Sequence, residues 1–270
     1  MKYSIITINY NNRDGLRRTI ESVVNQTFRD FEYIIIDGGS TDGSVEVIKE
    51  YADRIDYWVS EPDKGIYNAM NKGILQAHGE YLNFMNSGDC FYGKECLFKV
   101  LKSGLTTDII VGRDYHRNSQ TGGDFCTIFP RQLSMFTFCQ RYLPHQSSFF
   151  KRELFHNLYD ENYRIVSDWK FYIERIVFDG CSVDFLDEVI AWREQDGISS
   201  GEAKKSQEER RKVLDELLPV GIKKDYDVLM QWDNDTFEKF AFLSSHTSYR
   251  KILTYAIKIL YRLRACLFLI

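Results

Sequence analysis

The chain has 270 residues, 44% of them hydrophobic and 27% charged, with a net charge of −4. That length suits one large α/β domain, or one domain with a small appendage. The charge excludes a global electrostatic signal for nucleic acid, so no nucleic-acid partner is expected.

Lys2 to Asn9 reads as a strand rich in β-branched residues. Asn11 or Asn12 can cap a helix running to about Gln26, with Leu16, Ile20, Val23 and Val24 on one face. Phe31 to Asp37 is a second strand. A turn from Gly38 to Ser44 leads into a helix through Tyr51, and Asp56 to Ser60 is a short third strand. Glu61 to Gly65 is a loop, Ile66 to Gln76 a helix, and Tyr81 to Phe84 a buried strand that breaks into Asn86-Ser87-Gly88-Asp89. This β-α-β-α-β-α-β order predicts a mostly parallel sheet with helices on both faces.

The second half is less regular. Lys94 to Ser103 reads as a helix, Asp108 to Arg113 as a strand, and Arg113 to Phe129 as a hairpin. Gln146 to Phe150 is a strand, Ser167 to Phe178 a helix, and strands lie near Cys181–Phe185 and Val189–Arg193. A charged helix spans Gly201 to Leu217. One continuous domain is expected over residues 1–220, followed by a helical tail over 221–270.

Six cysteines occur with no C-x-x-C and no zinc-like Cys/His spacing. The N-terminus is too short and polar for a signal peptide, and no window is apolar enough for a clear transmembrane helix. The expected setting is therefore a reducing cytoplasm.

Chemistry concentrates at strand ends. Asp37 ends a buried strand before two glycines, where a carboxylate can accept from a ribose or base edge while the backbone lies close to a flat ligand. It can equally start a turn. The glycine spacing is not G-x-G-x-x-G, and no Walker A pattern exists, so a dinucleotide site is unsupported. Lys64 stands at a helix N-terminus, where the dipole disfavours a cation but where backbone N–H groups and an amine can share a phosphate. Asp89 offers the hard oxygen that Mg²⁺ or Mn²⁺ prefers, or caps the following helix. Asp168 is a helix N-cap or a general base; nothing local separates the two. His145 is a structural histidine or a contact to a metal or diphosphate.

Four stretches resemble glycosyltransferase family 2 in order and spacing. They are Ser4 to Asn11, Ile34 to Ser44, Glu61 to Gly73 and Asn86 to Asp89. His145 to Phe150, Ser167-Asp168-Trp169 and Gly197 to Ser200 are similar to later landmarks of that family. The resemblance implies an inverting enzyme with the GT-A fold. Residues 1–113 would form its nucleotide-binding half and residues 114–220 its acceptor half. Ile8, Asn9, Tyr10, Asp37, Asp63, Lys64, Asn86 and Ser87 would hold the donor nucleotide, typically a uridine diphosphate. Asn86 and Gly88 stand where many relatives carry carboxylates, so Asp89 alone would anchor a divalent cation, Mn²⁺ or Mg²⁺. Asp168 would be the general base, and Arg193 a contact to acceptor or diphosphate. The acceptor would be a glycan or a lipid-linked sugar. The Gln-x-x-Arg-Trp signature of processive relatives is missing, which implies one transfer per encounter.

Three other classes compete. Gly197-Ile198-Ser199-Ser200-Gly201 matches G-x-S-x-G, so Ser199 is a candidate hydrolase nucleophile, although the strand before it ends several residues too early for a nucleophile elbow. A nucleotide-sugar-binding protein without catalysis would explain the depleted metal motif. A nucleotidylyltransferase lacks its glycine-rich, basic phosphate loop here. The tail from Tyr249 to Ile270 carries Arg250, Lys251, Lys258, Arg262 and Arg264 and no acidic residue. At helical spacing, cations border an apolar stripe, the pattern of a helix lying in an anionic membrane surface. A peripheral position on the cytoplasmic face of a membrane is the resulting expectation.

Overall fold

The computed structural model describes residues 1–117, 124–130, 132–193, 202–229, 239 and 247–267. Its contacts divide the chain into two compact units, Met1–Leu217 and Leu218–Ile270.

The first unit is built on one nine-stranded sheet. Its strands are β1 (Tyr3–Asn9), β2 (Phe31–Asp37), β3 (Tyr57–Ser60), β4 (Tyr81–Phe84), β5 (Cys90–Phe91), β6 (Ile109–Arg117), β7 (Asp124–Cys126), β8 (Ser148–Lys151) and β9 (Val183–Trp192). They run in the order β3-β2-β1-β4-β8-β6-β9-β5, with β7 paired to β6. The run β3-β2-β1-β4 is parallel throughout. Beyond it the sheet is mixed: β8 is antiparallel to β4 and β6, and β9 is parallel to β6.

Period-two alternation explains how β1 and β2 are covered on both faces. Tyr3, Ile5, Tyr33 and Ile35 enter a core with Leu16, Ile20 and Val23 of α1 (Arg13–Val24) and with Val47 and Ile48 of α2 (Ser44–Glu50). Ile6, Ile34 and Ile36 point the other way, toward α3 (Ile66–Gln76), and are equally buried. β1 is followed by β2 on one side and bordered by β4 on the other. Their C-terminal ends therefore flank the point where strand order reverses, the usual ligand crevice of an open α/β sheet.

The second half departs from the sequence expectation in specific ways. The two strands expected near residues 181–193 are one continuous strand, β9. Its register against β6 shifts twice, between Val111 and Arg113 and between Arg113 and Asp114. The irregularity absorbs the polar stretch Asp187-Glu188, whose carboxylates accept from Arg113 Nε at 2.5 Å and Lys99 Nζ at 2.6 Å. The helix expected over 167–178 is α6 (Ser167–Tyr172) continuing into a π-helical turn, Ile173–Phe178. α4 (Cys96–Lys102) matches expectation closely, while α5 (Met135–Gln140) and the two-residue β5 leave no legible period. α7 (Ala203–Leu217) closes the first unit. The second unit contains α8 (Val220–Leu229) and α9 (Thr247–Leu267). No helix among the described residues is long and apolar enough to cross a membrane.

Candidate active site

The end of β4 forms the floor of the crevice. A four-residue turn closes where Asp89 N–H donates to the Asn86 carbonyl at 3.0 Å. Gly88 sits in it at φ 104°, a conformation that favours glycine. The Thr19 hydroxyl fastens this turn to α1: it accepts from Gly88 N–H at 3.0 Å and lies 2.7 Å from the Asp89 carbonyl. Thr19 thus shapes the site without belonging to any motif, and only packing reveals it. Asp89 is buried, and Gln146 Nε2 donates to its Oδ2 at 2.9 Å. Asn86 Oδ1 is buried without a hydrogen-bond partner, an acceptor left over at the same turn.

The ends of β1 and β2 meet in register, Asn9 opposite Asp37. Asp37 is fully buried and takes four hydrogen bonds from the protein. Its Oδ1 accepts from Asn9 Nδ2 (2.7 Å) and Ser40 Oγ (2.6 Å), its Oδ2 from Ser40 N–H (2.9 Å) and Ser60 Oγ (2.6 Å). Burial alone would raise its pKa; the bonds from Ser40, Ser60 and Asn9 outweigh burial and hold it below the usual range. Asp37 therefore braces the loop ends here rather than offering an open oxygen, which modifies the direct contact expected from sequence. The leftover acceptor is Asn9 Oδ1, buried and unbonded.

Tyr10 follows with its ring 67% exposed, because Asn11 turns the chain at φ 49° and pins the next loop by accepting from Thr41 N–H at 2.9 Å. Gly38 lies directly beneath Tyr10 and Asp63. A Cβ there would meet Asp63 Oδ2 at 2.5 Å and the Tyr10 ring at 3.2 Å. Ile8, Tyr10, Gly38 and Asp63 are thereby gathered at one sheet end, Ile8 through its carbonyl, which accepts from Ser87 N–H at 3.1 Å. Lys64 is exposed just before α3, whose N-cap position is Gly65 and which therefore has no side-chain cap. The first N–H groups of α3 are thus left without a capping side chain.

Asp168 is not a helix cap; Val166 occupies that position. Its Oδ1 accepts from Trp169 N–H at 2.9 Å and lies 2.8 Å from the Tyr67 hydroxyl. Tyr67 is buried in the first turn of α3, so the helix that follows Lys64 also reaches Asp168. Burial first, then the Asp168 charge, pushes the Tyr67 phenol well above its usual range, so it remains a donor.

His145 has a structural place. It is buried, its ring stacks on Phe84 with centroids 4.9 Å apart, and Nε2 lies 2.8 Å from the Tyr159 hydroxyl. Burial lowers its pKa. Those contacts favour the structural alternative over a metal or diphosphate contact. Arg193 directly follows β9, with Nε 3.3 Å from Asp114 Oδ2 and with Nη2 donating to Tyr142 Oη at 3.0 Å. Asp114 is fully buried with no hydrogen bond to either oxygen, and burial raises its pKa against the pull of Arg193 and His116. Sequence reasoning missed Asp114, Tyr142 and Gln146, since their roles arise from strands and loops distant in sequence. Ser199 and its G-x-S-x-G stretch lie outside the described residues.

The family model described as glycosyl transferase family 2 matches residues 4–177. The chain belongs to that family. An uncharacterized glycosyltransferase of Mycobacterium tuberculosis is 36% identical over 182 residues, covering 62% of this chain and 66% of that protein. A PGL/p-HBAD biosynthesis glycosyltransferase of Mycobacterium bovis is 29% identical over 209 residues, 73% of this chain and 79% of that protein. Solved structures share the fold. S. aureus TarS residues 1–349 in complex with UDP has a TM-score of 0.57 at 18% identity, covering 71% of this chain and 60% of that one. The Pyrobaculum calidifontis mannosyltransferase PcManGT with GDP-Man and Mn²⁺ has 0.58 at 14%, covering 94% and 83%. The chain thus shares the GT-A-type fold of these structures, and the crevice at the ends of β1, β2 and β4 lies within the residues matched to the family.

Proposed function

We infer that the protein transfers a sugar from a nucleotide-diphospho-sugar, a UDP-sugar in the first instance, to a hydroxyl of a glycan or lipid-linked acceptor, with inversion at the anomeric carbon. The observation that carries this reading is the Tyr67–Asp168 contact at 2.8 Å. It ties a carboxylate in the second half of the domain to the helix that begins beside Lys64, so base and donor elements share one rigid support.

Tyr10 would stack on the base of the nucleotide, and Asn9 Oδ1 and Asp63 would accept from base or ribose. Asp37 would act through Asn9 and the 38–40 turn. Lys64 and the uncapped start of α3 suit the diphosphate. Ser87 would lie against the donor from the β4 turn. Arg193, restrained by Asp114 and Tyr142, would face the leaving diphosphate or the acceptor. Asp168 would take the proton of the attacking hydroxyl as the new glycosidic bond forms and the bond to the diphosphate breaks. One base and one face of attack require no covalent intermediate.

The oxygen donors at the β4 turn fit a hard divalent cation. The Asp89 carboxylate and the unbonded Asn86 Oδ1 would hold Mn²⁺ or Mg²⁺, with substrate diphosphate oxygens completing the shell. Among the described residues no three His, Cys, Asp or Glu side chains gather around one point, so substrate oxygens would supply the remaining ligands. Such an ion supplies charge neutralisation at the leaving diphosphate.

The test is release of free nucleotide diphosphate from UDP-glucose, UDP-galactose, UDP-GlcNAc and GDP-mannose, with Mn²⁺ and after chelation. Metal-dependent release from one of them supports the reading. Thermal stabilisation by a nucleotide sugar without any release would favour the non-catalytic binder that the single-carboxylate turn also suits.

A further inference from the structure

Trp169, next to Asp168, carries a cation on its face: the Arg210 guanidinium carbon lies 4.8 Å from the centroid. Arg210 is on α7, thirty-odd residues beyond the matched family region, and no motif marks it. Its contact among the described residues is this stacking, with no hydrogen bond or ion pair to them, although it is half-buried. Burial lowers its pKa, and Asp168, Tyr142 and Tyr67 partly offset that, so these groups lie within its electrostatic reach.

The helix holds this cation in a fixed place. Glu209, buried beside it, accepts from Arg164 N–H at 3.0 Å and Ile165 N–H at 2.8 Å, just before Asp168. About two turns later Glu216 accepts from Lys170 Nζ at 2.7 Å and from the Tyr163 hydroxyl at 2.7 Å. Glu209 and Glu216 latch α7 to the segment around Asp168, and Arg210 donates no hydrogen bond to a described residue. A guanidinium bound directly to Asp168 would weaken a base; one set back on an indole keeps its fork of N–H groups for a planar or tetrahedral oxyanion. The second cleft arginine, Arg193, is held differently. It contacts Asp114 and Tyr142, and the Asp89 charge is among those that raise its pKa. Arg193 lies against Tyr142, and Arg210 lies on Trp169 beside Asp168.

We propose that Arg210 binds an anionic group, a phosphate or a carboxylate, carried by the acceptor close to the hydroxyl that Asp168 deprotonates. The acceptor class is then a charged sugar rather than a neutral one. This rests on Asp168 being the base.

The experiment is calorimetric titration of the full chain with glucose 1-phosphate, methyl glucuronide and neutral methyl glucoside, with and without saturating UDP and Mn²⁺. Wild-type protein is expected to bind one charged sugar at least about tenfold more tightly than the neutral one. Arg210→Gln should remove that preference and Arg210→Lys should weaken it, with UDP affinity unchanged within about twofold and both variants melting as the wild type does. The phosphate and carboxylate arms show which anion is taken. Equal binding of charged and neutral sugars by wild type, or a preference that survives Arg210→Gln, overturns the proposal. So does an equal loss of UDP affinity in Arg210→Gln, which would place Arg210 at the diphosphate. Failure of UDP to bind wild type would instead strike the donor-site reading, while the titrations without UDP still decide the role of Arg210.

Discussion

Two carboxylates that look alike in sequence, each beside a strand end or helix start, occupy different environments. Asp89 is buried in a turn fixed by Gly88 and Thr19, and Asp168 is half-buried against Tyr67. Asp89→Ala is expected to abolish transfer and the metal-dependent part of nucleotide-sugar binding, read by calorimetry with and without Mn²⁺; normal activity in the folded variant would remove Asp89 from the metal site. Asp168→Asn keeps the shape and loses the proton-accepting charge. Its kcat is expected to fall about 10²–10⁴-fold with donor affinity intact, measured by steady-state kinetics and UDP titration. Because Val166 rather than Asp168 is the cap, stability should change little, and a variant that keeps its kcat refutes the base assignment. Tyr67 stands inside a recognisable motif, yet its partner is 101 residues away, so its contact with Asp168 is invisible to local reading.

At the scale of elements, the parallel run β3-β2-β1-β4 is the part whose pattern carries through to structure. β1, β2 and β4 are buried on both faces, and the connecting segments are helices, so local period and global fold agree. The mixed half depends on side-chain ties across strands. Asp108, just before β6, accepts from Ser182 N–H at 2.9 Å and Ser182 Oγ at 2.7 Å, and pairs with Lys151 at 3.0 Å. The Ser182 bonds and then Lys151 lower its pKa to about 2. A depressed carboxylate stabilises the fold above its unfolded value, near 4, and that stabilisation is lost as pH falls toward the folded one. Asp108→Ala is therefore expected to cost about 1–3 kcal/mol at pH 7 in urea unfolding, and less at pH 3. A difference that is the same at both pH values would mean the side chain acts by shape alone.

For the whole molecule, the second unit adds a 21-residue helix, α9, with Ile252, Tyr255 and Ile259 exposed along one side and Arg250, Lys251 and Lys258 also exposed. Apolar residues at that spacing, bordered by cations, suit an interfacial helix. The full chain is expected to sediment with liposomes containing anionic lipid, and a chain truncated after Ser248 is expected to stay in solution. Equal, negligible sedimentation of both would assign the stripe to protein contact. The sequence alone determined the α/β order, the parallel N-terminal sheet and the family, because strand period, turn glycines and motif spacing are local properties of the chain. It also placed the residues that end at the crevice, since a strand's last residue is read directly from where its pattern stops. Tertiary structure decided what those residues do to one another. It closed Asp37 off with four bonds, buried His145 among aromatic rings, joined Tyr67 to Asp168, and laid Arg210 on Trp169. Apart from the local bonds from Ser40, each of these joins elements that the chain separates by many residues, and only packing brings them within the few ångströms over which hydrogen bonds and charges act.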